Sequence, residues 1–488
     1  MEVPATVEAI PNTSKWRTFC RKLSLITVEP VIILYLFPTM LMSVSVTNLD
    51  LEKSCRVNLK YNETICDALT SRNGDIYSSE QEDMVQKLVT TMTAWKNVIK
   101  GIVPAFLLLI IGAWSDKYNR RKPVIGLPIT GEFITMIGFL ICTYFFYEIP
   151  MEVTGFFECV PPSITGGPSS FVMGVFSYVS AISTAESRTV RIGAAKMCTD
   201  VSMMLGSALG GIFFRILGLY GIFSLVLVLY ISGFIYLVFV IKEKRLECVN
   251  KQPHISKMKV LKDFYNIKHI KPTFIVAFKR RRGNYRARII VCLVLMLLTL
   301  GPVYGESMIV YLYARKQFQY DEIEFSILYT MTMVVQLIGT LTSLTIFSRW
   351  LKLSDTTVGI ISYTGKLFSV CCLAFAQTPL VFGIGIIVGA FSTTTCITVR
   401  SLATKMVPEN EIGRLNALMA LLETLLPFLC GVMYTMVYRS TIDILPGAFY
   451  LIGGILWVPT MISLGWLYVQ QKRDLRENAN TGDVPPKM

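Results

Sequence analysis

The sequence is short of charge and almost without histidine. Asp, Glu, Lys and Arg make up 16% of its 488 residues, against ~25% in an ordinary soluble domain. Its two histidines are His254 and His269. With 53% of residues hydrophobic, a water-soluble fold would leave large apolar patches facing solvent. That excludes a soluble enzyme, a secreted disulfide domain and a disordered tail. No HExxH, GxSxG or Walker A stretch occurs, so the chemistry those motifs carry, ATP-driven pumping included, has no foothold. With both histidines in one basic stretch, an intramembrane metal site built on histidine is also excluded. No cofactor is expected. Lys and Arg exceed Asp and Glu by 47 to 33, but they sit between apolar blocks and do not share one wetted face, which argues against a nucleic-acid partner.

What the chain has instead is long apolar runs. About 20 such residues cross a bilayer core, and twelve runs of that size are predicted at 26–47, 92–114, 124–147, 167–186, 192–214, 219–241, 288–312, 325–347, 357–377, 380–401, 413–437 and 446–469. The first run has no small-residue cleavage site behind it, so it reads as a retained span and not as a signal peptide. Basic residues set orientation. Lys117, Arg120, Arg121 and Lys122 after span two, and Lys279, Arg280, Arg281 and Arg282 before span seven, place both termini in the cytosol. The resulting layout is a cytosolic N-terminus (1–25), a six-helix half (26–241), a basic cytosolic linker (242–287), a second six-helix half (288–470) and a cytosolic tail (471–488). The segment 48–91 is then the largest outside loop. It holds the sequon Asn62-Glu63-Thr64 and Cys55 and Cys66, a plausible disulfide in an oxidising compartment, with Cys159 in the next outside loop as a competing partner.

Six spans, a linker and six more spans is the layout of carriers whose two halves rock about a midplane site. The stretch Gly112-Ala-Trp-Ser-Asp116-Lys117-Tyr118-Asn119-Arg120-Arg121-Lys122 resembles the loop 2–3 motif of the major facilitator superfamily. Asp116 at a helix end can pair with basic groups or with a neighbouring helix terminus. Asn119 stands where that motif has glycine, and Asn tolerates positive φ best after glycine. Further pieces resemble the proton-coupled folate transporter family, solute carrier family 46: Val28-Glu29-Pro30-Val31, Arg188-Thr189-Val190-Arg191, Gly301-Pro302 with Gly305-Glu306 and Tyr311-Leu312-Tyr313, and Arg400 through Lys405-Met406-Val407-Pro408-Glu409 with Gly413-Arg414. The resemblance implies an all-α membrane protein of twelve helices in two halves. It also implies uptake or export of anionic, conjugated molecules such as folates, muropeptides or cyclic dinucleotides, with the proton as coupling ion. The folate-carrying branch has a histidine in span seven that is missing here, and Lys196 stands at a span-five acid of that branch.

Charges inside spans are costly and mark function. Arg400 offers a planar fork for carboxylate or phosphate and is the first substrate-contact candidate, followed by Lys196, Glu306 and Lys366, with Tyr311 and Tyr363 as stacking platforms. Glu306, Asp200 and Glu423 are the proton-carrier candidates. Lys196 and Asp200, four residues apart, share a helix face and can also simply neutralise each other. Asp116, Arg120, Arg121, Glu186, Arg188 and Arg191 form the expected inside gate. Trp114 and Trp457 are expected as interface anchors. The partners are a small organic anion and the lipid bilayer, and the functional unit is expected to be a monomer in the plasma or endolysosomal membrane. Two other readings stay open: a transporter-like receptor or scaffold that does not translocate, and an uncoupled facilitative carrier.

Asn62→Gln should abolish the mass shift that glycosidase treatment gives the expressed protein. An unchanged shift would put the 48–91 loop on the wrong face.

Overall fold

The computed structural model describes residues 27–71, 77–184, 187–243, 270–279, 284–320, 322–351, 353–441 and 444–481. Its elements are α1 Glu29–Leu41, α2 Ser43–Lys53, α3 Glu63–Ser71, α4 Ser79–Tyr118, α5 Lys122–Tyr144, α6 Met151–Ile164, α7 Gly167–Ile182 and α8 Arg188–Phe239 in the first half. They are followed by α9 Ile270–Phe278, α10 Tyr285–Phe318, α11 Glu322–Thr342, α12 Asp355–Ala374, α13 Pro379–Val388, α14 Thr394–Lys405, α15 Ile412–Thr441 and α16 Ala448–Thr481. In a membrane every backbone polar group must be satisfied within the segment, which is why apolar runs of this length become helices.

Nine of the described helices are long and apolar enough to span a bilayer. One of these, α8, holds two spans. Its 52 residues are helical except at Gly218, where φ is +65° and ψ −173°, a conformation that glycine alone adopts freely. Gly206 packs on Phe37 and Met40 of α1, and Gly233 packs on Leu34 of the same helix. A straight helix would hold those two glycines ~40 Å apart, so the chain reverses at Gly218. The α7 helix and the broken pair α13–α14 complete the twelve.

Each half builds its own main core, the first also taking in Leu344 and Ile397 from the second half. One is built on Tyr35, Phe139, Phe171, Phe223 and Tyr230, the other on Tyr313, Tyr363, Tyr434, Phe449 and Trp457. A third cluster, with Leu108, Ile111 and Trp114 of α4 against Ala417 and Ala420 of α15, straddles the seam. Large apolar side chains such as Ile216, Phe239, Leu380 and Ile455 are exposed, as expected of surfaces that face lipid tails. Trp114 and Trp457, expected at the membrane interface, are instead buried to within 3% and 1%. Hydropathy gives their depth along the chain but not the face on which they stand.

Two regions differ from the sequence reading. The segment taken as a long outside loop is largely helical, and α4 starts at Ser79, well before residue 92, behind a capping box in which the Ser78 hydroxyl accepts from Gln81 N–H and the Gln81 side chain accepts from Ser78 N–H. Cys55 and Cys66 are disulfide-bonded there, while Cys159 is a buried free thiol. Asn62 is exposed at the start of α3. Of the basic linker, residues 244–269 lie outside the described residues, and α9 packs along α4 and α15.

A Cβ on Gly206 would lie 2.5 Å from Phe37 O and 2.8 Å from Met40 Cβ. Overpacking of this kind costs ~1–3 kcal/mol or more, so Gly206→Val should lower the melting temperature in detergent by several degrees. An unchanged melt would contradict the α1–α8 packing.

Candidate functional site

The two halves are bound together at the end of the bundle that carries Asp116. The Asp116 carboxylate, fully buried, accepts from Gly413 N–H and Arg414 N–H, both at 2.7 Å. It thereby caps the start of α15 across the seam, where unpaired N–H groups and the helix dipole favour an anion. Asn119 closes α4 in the left-handed region, at φ +48°, as its place in the motif requires. Arg121, 3.6 Å from Asp116, donates to Ser177 O within its own half and at 2.8 Å to Glu409 O in the other half. Arg188 donates at 2.8 Å to Thr404 O across the seam.

A second cross-seam cluster stands beside it. The Thr189 hydroxyl bonds Asp355 and Ser401, and Lys405 pairs with Asp355 at 2.8 Å. Sequence reasoning missed Asp355 and the role of Lys405. Asp355 lies in the first turn of α12 behind a Ser354 cap, and an acid directly after a capping serine at the start of an apolar run is a signal the sequence does carry. Of the expected gate residues, Arg120 is exposed and Arg191 donates to Thr27 within its own half. Glu186 lies outside the described residues.

Beyond this closed end lies a cavity of about 330 Å³. The first half contributes Lys196 and Asp200, and the second contributes Glu306, Gln336, Thr340 and Lys366 among others. Lys196 pairs with Asp200. Lys366 sits 3.4 Å from Glu306 Oε2 and 4.9 Å from the centre of the Trp457 ring. The other carboxylate oxygen, Glu306 Oε1, is buried without a hydrogen-bond partner. Both cations therefore share the cavity with a carboxylate, and one of those carboxylates is half satisfied.

Arg400 is 2% exposed and does not line the cavity. It pairs with Glu423 and stacks its guanidinium 4.1 Å from the centre of the Phe176 ring, across the seam. In this conformation it ties the halves together beneath the cavity. The two tyrosines are not on the cavity wall either. Tyr363 is buried with its hydroxyl bonded to Thr299, and Tyr311 packs edge-on to Phe325.

The Major Facilitator Superfamily model matches residues 87–431. The chain belongs to the Major Facilitator Superfamily. It is a multi-pass membrane transporter by family and not an enzyme. Among curated relatives it is 21% identical to the probable peptidoglycan muropeptide transporter of Drosophila melanogaster over 93% of this chain and 88% of that protein. It is 25% identical to the lysosomal proton-coupled steroid conjugate and bile acid symporter of Gallus gallus (90% and 93% covered), and 25% identical to the proton-coupled folate transporter of Rattus norvegicus (80% and 83% covered). All three align with this chain over both halves. Among solved structures, the human organic anion transporter MFSD10 superposes with a TM-score of 0.62 at 14% identity, covering 90% of this chain and 98% of that one, which shows the shared fold.

A second polar cavity escaped the sequence reading. It measures about 490 Å³ and lies within the first half, lined by Asp50, Lys96, Lys100, Glu132 and Glu158 together with small hydroxyl residues. Lys96 and Lys100 were visible as an i, i+4 pair inside span two, and Glu132 as an acid inside span three.

If the Asp116 cap holds the seam shut, Asp116→Ala should speed maleimide labelling of a Thr404→Cys probe at least tenfold, because Thr404 is now fully buried. An unchanged labelling rate would remove Asp116 from the gate.

Proposed function

We propose that this facilitator carries an organic anion together with protons by alternating access, with the 330 Å³ cavity as the substrate site. The observation that carries the proposal is the pairing of each cavity lysine with a cavity carboxylate, Lys196 with Asp200 and Lys366 with Glu306. An anion entering the cavity competes with those carboxylates for the lysines. A proton on Glu306 or Asp200 removes the competitor and leaves the cation free. Proton and anion then favour each other's binding, which is the thermodynamic requirement for symport. The names of the relatives support the same class: steroid conjugates and bile acids, folate, and muropeptide.

The conformation described is closed at the Asp116 end. The basic residues Lys117, Arg120, Arg121 and Lys122 gather at that end, which makes it the cytosolic one under the positive-inside rule, with the sequon and the disulfide on the opposite face. The outward-facing state is then held by the Asp116 and Asp355 clusters. Breaking them lets the halves rock to face the cytosol, where Arg400, released from Glu423, becomes available to the leaving anion.

The test uses reconstituted liposomes with an acid exterior and three radiolabelled probes: folic acid, a sulfated steroid and a muramyl dipeptide. Lys366→Ala should reduce uptake of the accepted probe at least tenfold. Glu306→Gln, which leaves Lys366 permanently unopposed, should weaken the dependence of uptake on the pH gradient. Full activity in Lys366→Ala, or gradient-independent uptake by the wild type, would overturn the proposal.

A further inference from the structure

The charges of the 490 Å³ cavity in the first half form a chain. Lys96 bonds Asp50 Oδ2 at 2.7 Å and also Glu158 Oε2, and Lys100 bonds Glu158 Oε1 at 2.5 Å. Two acids and two bases alternate, so the chain is neutral as a unit. Burial works to raise the Glu158 carboxyl, but Lys100 and Lys96 outweigh it and hold Glu158 below the ordinary range.

Glu132 does not belong to that chain. It stands on α5 and is 4% exposed. Its carboxyl lines the cavity beside the chain, and among the described residues it makes no ion pair and no side-chain hydrogen bond. The charged and titratable groups near it from the packed elements are Lys100 of α4, Glu158 of α6, Tyr35 of α1 and Tyr230 of α8. Asp50 of α2, which shares the cavity, presents Oδ1 buried and unbonded. No cation is left over for Glu132, because Lys96 and Lys100 are both committed to Asp50 and Glu158.

An ionised Glu132 would give the cavity a net charge of minus one. A protonated Glu132 would leave it neutral. Water in an open cavity can solvate that charge, but closing the outer end around it would strand an unpaired carboxylate in a low-dielectric interior. We infer that the Glu132 carboxyl is a proton-binding site of the first half, loaded from the outer cavity, and that its occupancy is the condition for that end to close. The loading step moves one proton from cavity water onto a Glu132 oxygen. Unloading returns it to water when the opposite end opens. This rests on the proton-coupled reading of the transporter and adds a second site to it, in a different cavity from Glu306 and in the other half.

The experiment compares wild type, Glu132→Gln and Glu132→Asp in liposomes with the same three probes, measuring accumulation under an acid-outside gradient and counterflow without a gradient. The expected result is that Glu132→Gln lowers accumulation at least tenfold more than counterflow, and that Glu132→Asp recovers gradient dependence. If the wild type accumulates probe without regard to the gradient, the proton-coupled reading itself fails. If the wild type follows the gradient and Glu132→Gln does so equally, only the Glu132 assignment falls. Equal loss of both modes in both variants would make Glu132 a packing residue and overturn the inference as well. A substrate-free readout runs in parallel: infrared difference spectra between acid and neutral pH should contain a protonated-carboxyl band that is lost in Glu132→Gln, and identical spectra would also overturn it.

Discussion

An unpaired charge in a membrane interior is expensive, and the arrangement of this protein follows from how each buried charge is balanced. Asp116 is balanced by two backbone N–H groups at the start of α15, Asp355 by Lys405, Arg400 by Glu423, Lys366 by Glu306. The first of these balances reaches across the seam between the halves, and Thr189 and Phe176 of the first half touch Asp355 and Arg400 from the other side, so the same interactions that make the charges tolerable also define a conformation. A carrier that must pass through two conformations gains from such pairs, because each is stable only while its partner is in place. Surface pairs are worth little, whereas a buried pair that loses one member is costly, so buried pairs of this kind favour discrete settings over intermediate ones.

The cavity charges obey the same constraint with a different outcome. Lys196 and Lys366 are balanced by carboxylates that line the same cavity, the proposed substrate site. Their balance can be exchanged for another: a proton on the carboxylate and an anion on the lysine give the same neutral sum. In the first half, the chain from Asp50 to Lys100 is already neutral, and Glu132 is the member that a proton alone can settle. Under the proposed mechanism, charge neutrality at the moment of closure is a single rule for both cavities.

Much of the fold was legible in the sequence because hydrophobic length and the bilayer thickness leave little freedom. The twelve apolar runs, the Asp116 loop and the turn tolerated by Asn119 all follow from local chemistry. The i, i+4 spacing likewise brought Lys196 and Asp200 together. What was not legible is which way each helix faces. Arg400 was read as a substrate contact and in this conformation stacks on Phe176 away from the cavity lining, while Trp457 was read as an interface anchor and lies under Lys366. The first-half cluster was missed because Asp50 and Glu158 fell in segments read as loops, and because Lys96, Lys100 and Glu132 sat in spans whose partners come from three other helices. Glu29 shows the same limit: its carboxylate accepts from Thr27 N–H and Val28 N–H at the start of its own helix, a local role that its place in the motif does not reveal.

The central claim is that an anion and protons cross together because they settle the same buried charges. A pH electrode in a weakly buffered suspension of the reconstituted protein tests it most directly, with a gradient of an accepted probe as the sole driving force. The account predicts that the outside medium turns alkaline as the anion enters, in proportion to the amount taken up and abolished when the pH difference is collapsed by a protonophore. Anion entry with no movement of protons would contradict it.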